Sequence, residues 1–163
     1  MIKGILHFNV VCTDLDRSMK FYGDMLGGNV LGDTRLAAAE RGVNTTGAGI
    51  AMGFEETPEW RACYIRFGDD ENATVIDLLQ WIKPAPIGKP HEKMNQVGIP
   101  RVALAVDDID KIYNDLKAKG VEFISPPQVI DLKREGMGIG TVQRPIKVAV
   151  CLDPDGTAVE FVE

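Results

Sequence analysis

The chain has 163 residues, of which 45% are hydrophobic and 26% charged, and its formal net charge is −6. This composition is enough for one ordinary domain with its own core, and acids interspersed with scattered bases argue against nucleic-acid binding. No apolar run approaches the ~20 residues of a membrane span and no signal-peptide pattern opens the sequence, so we expect a cytoplasmic protein without a membrane partner.

The three cysteines are Cys12, Cys63 and Cys151. Their number is odd and none forms a Cys-x-x-Cys pair, which is the spacing typical of metal or redox sites. Two of them lie in apolar, strand-like runs, where a thiol behaves as a small hydrophobic side chain. We therefore expect the cysteines to be structural.

An internal repeat organises the chain. Residues 7–16 align with residues 101–110 at a constant offset of 94, and each copy ends in an acid, an aliphatic residue and an acid. Each copy predicts a strand, the first over residues 5–11, followed by a helix that the acids cap. The cap is Thr13 or Asp14 in the first copy, and Asp107 or Asp108 in the second.

The remaining elements follow in chain order. The helices are predicted at residues 15–26 and 109–119, the second with Ile109, Ile112, Tyr113 and Leu116 on its buried face. Further strands are predicted at residues 29–31, 49–54, 61–67, 121–124 and 147–152. Residues 70–79 and 153–162 match at an offset of 83, and each predicts a turn that leads into a strand, so Asp77 corresponds to Glu160.

The organisation is that of two modules joined by a linker. Residues 83–97 contain three prolines, which cannot continue a strand ladder, and they separate a first module at about residues 1–82 from a second at about 98–163. Residues 36–46 predict a helical turn or a loop over a site. Residues 124–145 predict a flexible lid or hairpin, because no helix follows their glycines to form a phosphate cradle.

Strand alternation predicts which side chains face the core. The predicted core set is Leu6, Phe8, Val10, Ile76, Leu78, Val102, Leu104, Val106, Val159 and Phe161. The opposite face then carries Asn9 and four ionisable residues at repeat-related positions: His7, Asp77, Arg101 and Glu160. Ionisable groups inside apolar strands cost several kcal/mol unless they are paired or coordinated. The four residues form either a salt-bridge network or a functional cavity, and their symmetry favours the cavity.

Two motifs resemble those of a known superfamily. Residues 14–22, Asp-Leu-Asp-Arg-Ser-Met-Lys-Phe-Tyr, stand before Leu26-Gly27 and resemble the opening of a vicinal oxygen chelate module. Residues 153–161, Asp-Pro-Asp-Gly-Thr-Ala-Val-Glu-Phe, are similar to its closing signature. The chain thus resembles the glyoxalase/bleomycin-resistance/dioxygenase superfamily over nearly its whole length. This implies an α+β fold of two tandem βαβββ modules whose sheets curl around a cavity.

The resemblance also implies a site on the first and last strands of each module, commonly holding a divalent metal. Where the glyoxalase I pattern has His, Glu, His and Glu, this chain has His7, Asp77, Arg101 and Glu160. Arg101 cannot be a ligand because it stays protonated. One histidine at the motif positions also counts against a dioxygenase, and we expect a surface role for His91 in the linker.

The first hypothesis is a metal-assisted lyase or isomerase acting on a small oxygenated substrate. His7, Asp77 and Glu160 would bind Zn, Ni, Mn or Mg, and the metal would act as a Lewis acid. Glu160 would move a proton as the catalytic base, while Arg101 would hold a substrate carboxylate or stabilise an oxyanion. Asn9 completes the candidate substrate-binding residues.

The second hypothesis is a metal-free protein that sequesters a small molecule, as the bleomycin-resistance branch does. Candidate lining residues are Phe54, Trp60, Trp81, Met52, Met94 and Met137, although such residues are more often plain core. Under either hypothesis the resemblance implies a homodimer, consistent with the open edge that a half-curled sheet leaves.

Overall fold

The computed structural model describes residues 1–32, 46–131 and 144–163. The chain divides into two compact units, Met1–Gly88 and Lys89–Glu163. In each unit the described residues form one four-stranded mixed sheet together with a helix that follows the first strand.

The first unit contains β1 (His7–Val11), helix α1 (Leu15–Met19), which continues as a π-helical segment (Lys20–Met25), β2 (Asn29–Leu31), α2 (Thr46–Ala51), β3 (Glu59–Arg66) and β4 (Val75–Lys83). The strand order is β1-β4-β3-β2. Strands β1 and β4 are parallel, and the other pairs are antiparallel.

The second unit repeats this plan with β5 (Arg101–Ala105), α3 (Ile109–Ala118), β6 (Gln128–Ile130), β7 (Ile146–Leu152) and β8 (Ala158–Val162). Its strand order is β5-β8-β7-β6, with β5 and β8 parallel. The predicted α+β fold of two tandem βαβββ modules is confirmed.

The predicted core residues are buried or half-buried with one exception. Val10, Ile76, Leu78, Val159 and Phe161 are buried, and Phe8, Val102, Leu104 and Val106 are half-buried. On α3, Ile109 and Leu116 are buried while Lys111, Asp115 and Lys117 are exposed, as the helical spacing predicts. Leu6 was wrongly assigned to the core: it precedes the first paired residue of β1 and is 79% exposed.

The helix that follows the first strand of each unit is capped twice at its start. The side chain of Asp14 accepts a hydrogen bond from Arg17 N at 3.0 Å, and that of Asp108 accepts one from Lys111 N at 2.9 Å. The structure thereby selects one acid from each predicted pair of caps.

The second cap comes from the last strand in the first unit and from the residue after the last strand in the second. Gln80 Oε1 accepts from Leu15 N at 3.2 Å, and Glu163 Oε2 accepts from Ile109 N at 2.9 Å. Residues 80 and 163 are equivalent in the repeat, so both units satisfy a free N–H at the helix start in the same way.

The strand predicted at residues 49–54 is wrong, because residues Thr46–Ala51 form helix α2. The chain leaves α2 through Gly53, whose φ is 80°, and Phe54 N donates to Gly49 O at 3.0 Å. This left-handed glycine is a helix stop, and a short apolar run does not by itself distinguish a strand from a buried helical turn.

The strand predicted at residues 121–124 is reduced to a single bridge between Phe123 and Cys151. Pro126 and Pro127 follow at once and lack the N–H that would continue the ladder. Pairing with β7 resumes in β6. Residues 33–45 and 132–143 lie outside the described residues, and most of the two predicted loops falls there.

All three cysteines are buried and none forms a disulfide, as expected of structural side chains. Burial, with a smaller contribution from Asp153, raises the pKa of Cys151 to about 12. Its thiol is therefore unreactive at neutral pH. In the described part of the chain, no helix is long and apolar enough to cross a membrane.

The cap at Ile109 predicts a measurable stability effect. Glu163→Ala should lower the free energy of unfolding by about 1 kcal/mol, because it removes both an N–H acceptor and a negative charge at the helix N-terminus. Glu163→Gln should lower the free energy of unfolding by less, since the amide oxygen of Gln80 accepts the equivalent hydrogen bond in the first unit. Urea denaturation measures both, with the exposed Glu122→Ala as the matched control. Equal stability of the Glu163→Ala and Glu122→Ala proteins would contradict the capping role.

Candidate functional site

We define the open face of each sheet as the face opposite its buried, helix-facing side chains. In the first unit, strand register places Asn9, Asp77, Tyr64 and Leu31 in one row across β1, β4, β3 and β2. Side chains of directly paired residues point to the same face. Asp77 therefore lies between Asn9 and Tyr64 on the open face.

Asp77 is half-buried and is held by its neighbour on β1. Asn9 Nδ2 donates to Asp77 Oδ2 at 3.2 Å and approaches the Asp77 carbonyl oxygen at 3.4 Å. Burial raises the pKa of Asp77, because it disfavours the charged form, while the Asn9 hydrogen bond and the charge of His7 oppose this effect in part.

His7 and Tyr64 stand on either side of β4. His7 pairs with Val75, two residues before Asp77, and is exposed. The His7 and Tyr64 ring centroids are 6.3 Å apart, with the rings tilted by 47°. The first unit thus assembles an imidazole, a phenol, an amide and a carboxylate on one face.

In the second unit, Glu160 on β8 occupies the position equivalent to Asp77. Its neighbours in the row are Ala103 on β5 and Val150 on β7. Arg101 Nε lies 2.9 Å from Glu160 Oε2, and the side chains are 42% and 15% exposed, respectively. An apolar row therefore surrounds a largely buried carboxylate whose charge Arg101 neutralises.

The predicted site residues thus form two groups. The structure brings His7, Asn9 and Asp77 together in the first unit, and Arg101 and Glu160 together in the second. Tyr64 was missed by the sequence reasoning. The alternation of β3, with Cys63 and Ile65 buried, would have placed Tyr64 on the open face. Its position beside Asp77 needed the register.

An aromatic cluster lies further along the open face of the first unit. Trp60 pairs with Trp81, their ring centroids are 5.3 Å apart, and Phe54 packs 4.8 Å from Trp81. Of the methionines proposed with them, Met52 is exposed, Met94 is half-buried in the second unit, and Met137 lies outside the described residues.

The donor set fits a divalent metal only in part. Within either unit, the described residues contain no group of three His, Cys, Asp or Glu side chains able to hold a metal. His7 and Asp77 supply two donors in the first unit. Glu160, the third predicted ligand, already accepts a hydrogen bond from a permanent cation, which opposes a metal ion at the same oxygen.

The comparisons with known proteins agree with this fold. The sequence profile of the Glyoxalase/Bleomycin resistance protein/Dioxygenase superfamily matches residues 4–161. The chain belongs to this superfamily. No protein of curated function gives a significant sequence match.

Solved structures of the same fold include enzymes and binding proteins. A glyoxalase family protein from Bacillus cereus has a TM-score of 0.73 at 18% identity, covering 100% of this chain and 95% of its own. The trypanothione-dependent glyoxalase I of Leishmania major has a TM-score of 0.61 at 18% identity, with coverages of 99% and 87%. An antibiotic binding protein from a Streptomyces species has a TM-score of 0.56 at 20% identity, with coverages of 98% and 94%.

The environment of Asp77 predicts a pH-dependent effect on stability. Because the pKa of Asp77 is raised in the folded protein, protonation of Asp77 stabilises the fold. This stabilisation is fully present below the ordinary pKa of 3.8 and is lost as the pH rises through the raised pKa of the folded state. Asp77→Asn mimics the protonated form. It should raise the melting temperature by up to about 3 °C at neutral pH and have little effect in acid.

Thermal melts of both proteins across pH measure this difference. Asp24→Asn, which removes a carboxylate from an exposed position of the same unit, is the control for net charge. A destabilised Asp77→Asn protein at neutral pH would show that the carboxylate forms favourable interactions that outweigh its burial.

Proposed function

We propose that this protein binds a small organic molecule that carries a carboxylate next to an apolar part, without the help of a metal. The observation that carries the proposal is the ion pair between Arg101 and Glu160. Arg101 stands where the metal-binding pattern has a neutral histidine ligand. The fold is compatible with the binding of a small molecule, because an antibiotic binding protein from a Streptomyces species has the same fold.

Arg101 is prepared to bind an anion. Its Nε is fixed by the largely buried Glu160, and in the described part of the chain no hydrogen bond engages its other guanidinium nitrogens. A guanidinium held in this way keeps a planar edge for two parallel hydrogen bonds to a carboxylate. Because the orientation is already set, less side-chain entropy is lost on binding.

The surroundings of Arg101 suit the apolar part of the ligand. On the open face of the second unit, Ala103 and Ala105 are exposed and Val150 is half-buried. These small side chains leave hydrocarbon surface next to the guanidinium. A carboxylate with a short apolar or aromatic body complements this combination.

Benzoate and its neutral analogue benzamide test the proposal. Arg101→Ala should weaken benzoate binding by about tenfold or more, because a charge-assisted hydrogen bond is lost, and should change benzamide binding little. Isothermal titration calorimetry measures both affinities. Lys119→Ala removes one positive charge from an exposed position of the same unit and is the matched control.

Arg101→Lys separates geometry from charge. It keeps a cation beside Glu160, so the fold retains its ion pair, but it lacks the planar edge for a carboxylate. Benzoate affinity should fall several-fold in this variant. Parent-like benzoate binding by the Arg101→Ala protein would overturn the proposal.

The second candidate function is the divalent-metal-assisted lyase or isomerase. It is favoured by the proximity of His7 and Asp77 on one open face, where the charge of His7 acts on Asp77. It requires Glu160 as the third ligand and as the base, and Arg101 as the substrate clamp. The metal would supply Lewis-acid polarisation of a substrate oxygen.

Metal analysis distinguishes the two functions. The metal-free function predicts no stoichiometric Zn, Ni or Mn after dialysis against each ion, whereas the enzymatic function predicts a bound ion that His7→Ala removes. Arg101→His removes the cation from Glu160 and adds an imidazole, so the enzymatic function predicts tighter binding of a divalent ion by this variant. Stoichiometric metal in the parent, lost in His7→Ala, would favour the enzyme over the binding protein.

A further inference from the structure

The open face of the first unit carries a phenol whose exposure needs an explanation. Tyr64 lies in β3, with strands paired on both sides, yet it is 42% exposed. In the described part of the chain no hydrogen bond engages its hydroxyl. A tyrosine that served packing alone would bury its ring, as Tyr22 does with no exposed surface.

The repeat provides an internal comparison. Tyr64 is the β3 partner of Asp77, and Val150 is the β7 partner of Glu160. The same position in the second unit thus needs only an aliphatic side chain beside its carboxylate. The phenol of the first unit is therefore not required by the sheet, which indicates a role for its hydroxyl outside the fold.

The groups around Tyr64 define the chemistry of a ligand. Asp77 supplies a hydrogen-bond acceptor, and Tyr64, its direct neighbour on β3, supplies a donor. The His7 ring lies across β4, with its centroid 6.3 Å from that of Tyr64. A ligand hydroxyl group can donate to the carboxylate and accept from the phenol at once. A purely anionic group would instead meet the charge of Asp77.

The side chains along β3 indicate the size and shape of the apolar part of the ligand. Ala62 separates Tyr64 from Trp60 along β3, and it is half-buried. Trp60 and Tyr64 are four residues apart, or about 13 Å in an extended strand. This length between two aromatic side chains, with a small residue between them, matches a flat molecule of about two rings.

From this arrangement we infer that the first unit contains a binding site for a planar aromatic molecule with a hydroxyl group, in which Tyr64 and Asp77 bind the hydroxyl and Ala62 and Trp60 contact the rings. This site goes beyond the carboxylate-binding function proposed for the second unit. It is carried by different residues and does not depend on Arg101.

The test uses 2-naphthol and naphthalene, which differ by the hydroxyl group alone, with affinities measured by ligand-detected NMR. The parent should bind 2-naphthol more tightly. Tyr64→Phe removes only the phenol oxygen and should weaken 2-naphthol binding by roughly threefold to tenfold without changing naphthalene binding. Trp60→Ala should weaken the binding of both probes.

Tyr113→Phe, on α3 of the second unit, is the matched control and should leave both affinities unchanged. Equal binding of the two probes by the parent, or an undiminished 2-naphthol preference in the Tyr64→Phe protein, would overturn the inference. Absence of binding of either probe to the parent would overturn it as well. None of these outcomes bears on benzoate binding at Arg101, so the two proposals fail separately.

Discussion

The parallel pairing of the first and last strands is the constraint on which each unit depends. It places Asn9 beside Asp77 in one sheet and Ala103 beside Glu160 in the other. It also brings the last strand next to the start of the helix. There Gln80 and Glu163 accept hydrogen bonds from the first helical N–H groups. One pairing thus determines both the helix start and the neighbours of the carboxylate on the open face.

The two equivalent carboxylates of the repeat, Asp77 and Glu160, differ in how their charge is balanced. Asp77 has neutral partners, Asn9 and Tyr64, and its pKa is raised by burial. Glu160 lies among apolar neighbours, and a guanidinium balances its charge. A buried carboxylate must be neutralised, hydrogen-bonded or protonated, and the two units use different means. Our two proposals accordingly assign a hydroxyl-bearing ligand to the first unit and an anion to the second.

Much of the fold was predictable from local signals. The repeat offset identified two modules, and alternation in the strands assigned Ile76, Leu78, Val159 and Phe161 to the core. Acids after each first strand predicted the helix starts. These signals work because side-chain direction in a strand and capping at a helix end depend on nearby residues. Where local signals were ambiguous, as in the apolar run at residues 49–54, the prediction was wrong, and helix α2 with its stop at Gly53 replaced a strand.

Alternation along a single strand was enough to predict the face on which each site residue lies, because successive side chains point to opposite faces. Which residues meet could be read only from the folded chain. Arg101 pairs with Glu160, 59 positions away in the chain, and Asn9 binds Asp77, 68 positions away. Tyr64 became part of the site only through the register of β3 against β4. Such neighbours depend on how strands align with one another, and a shift of one residue would turn every side chain of a strand to the other face.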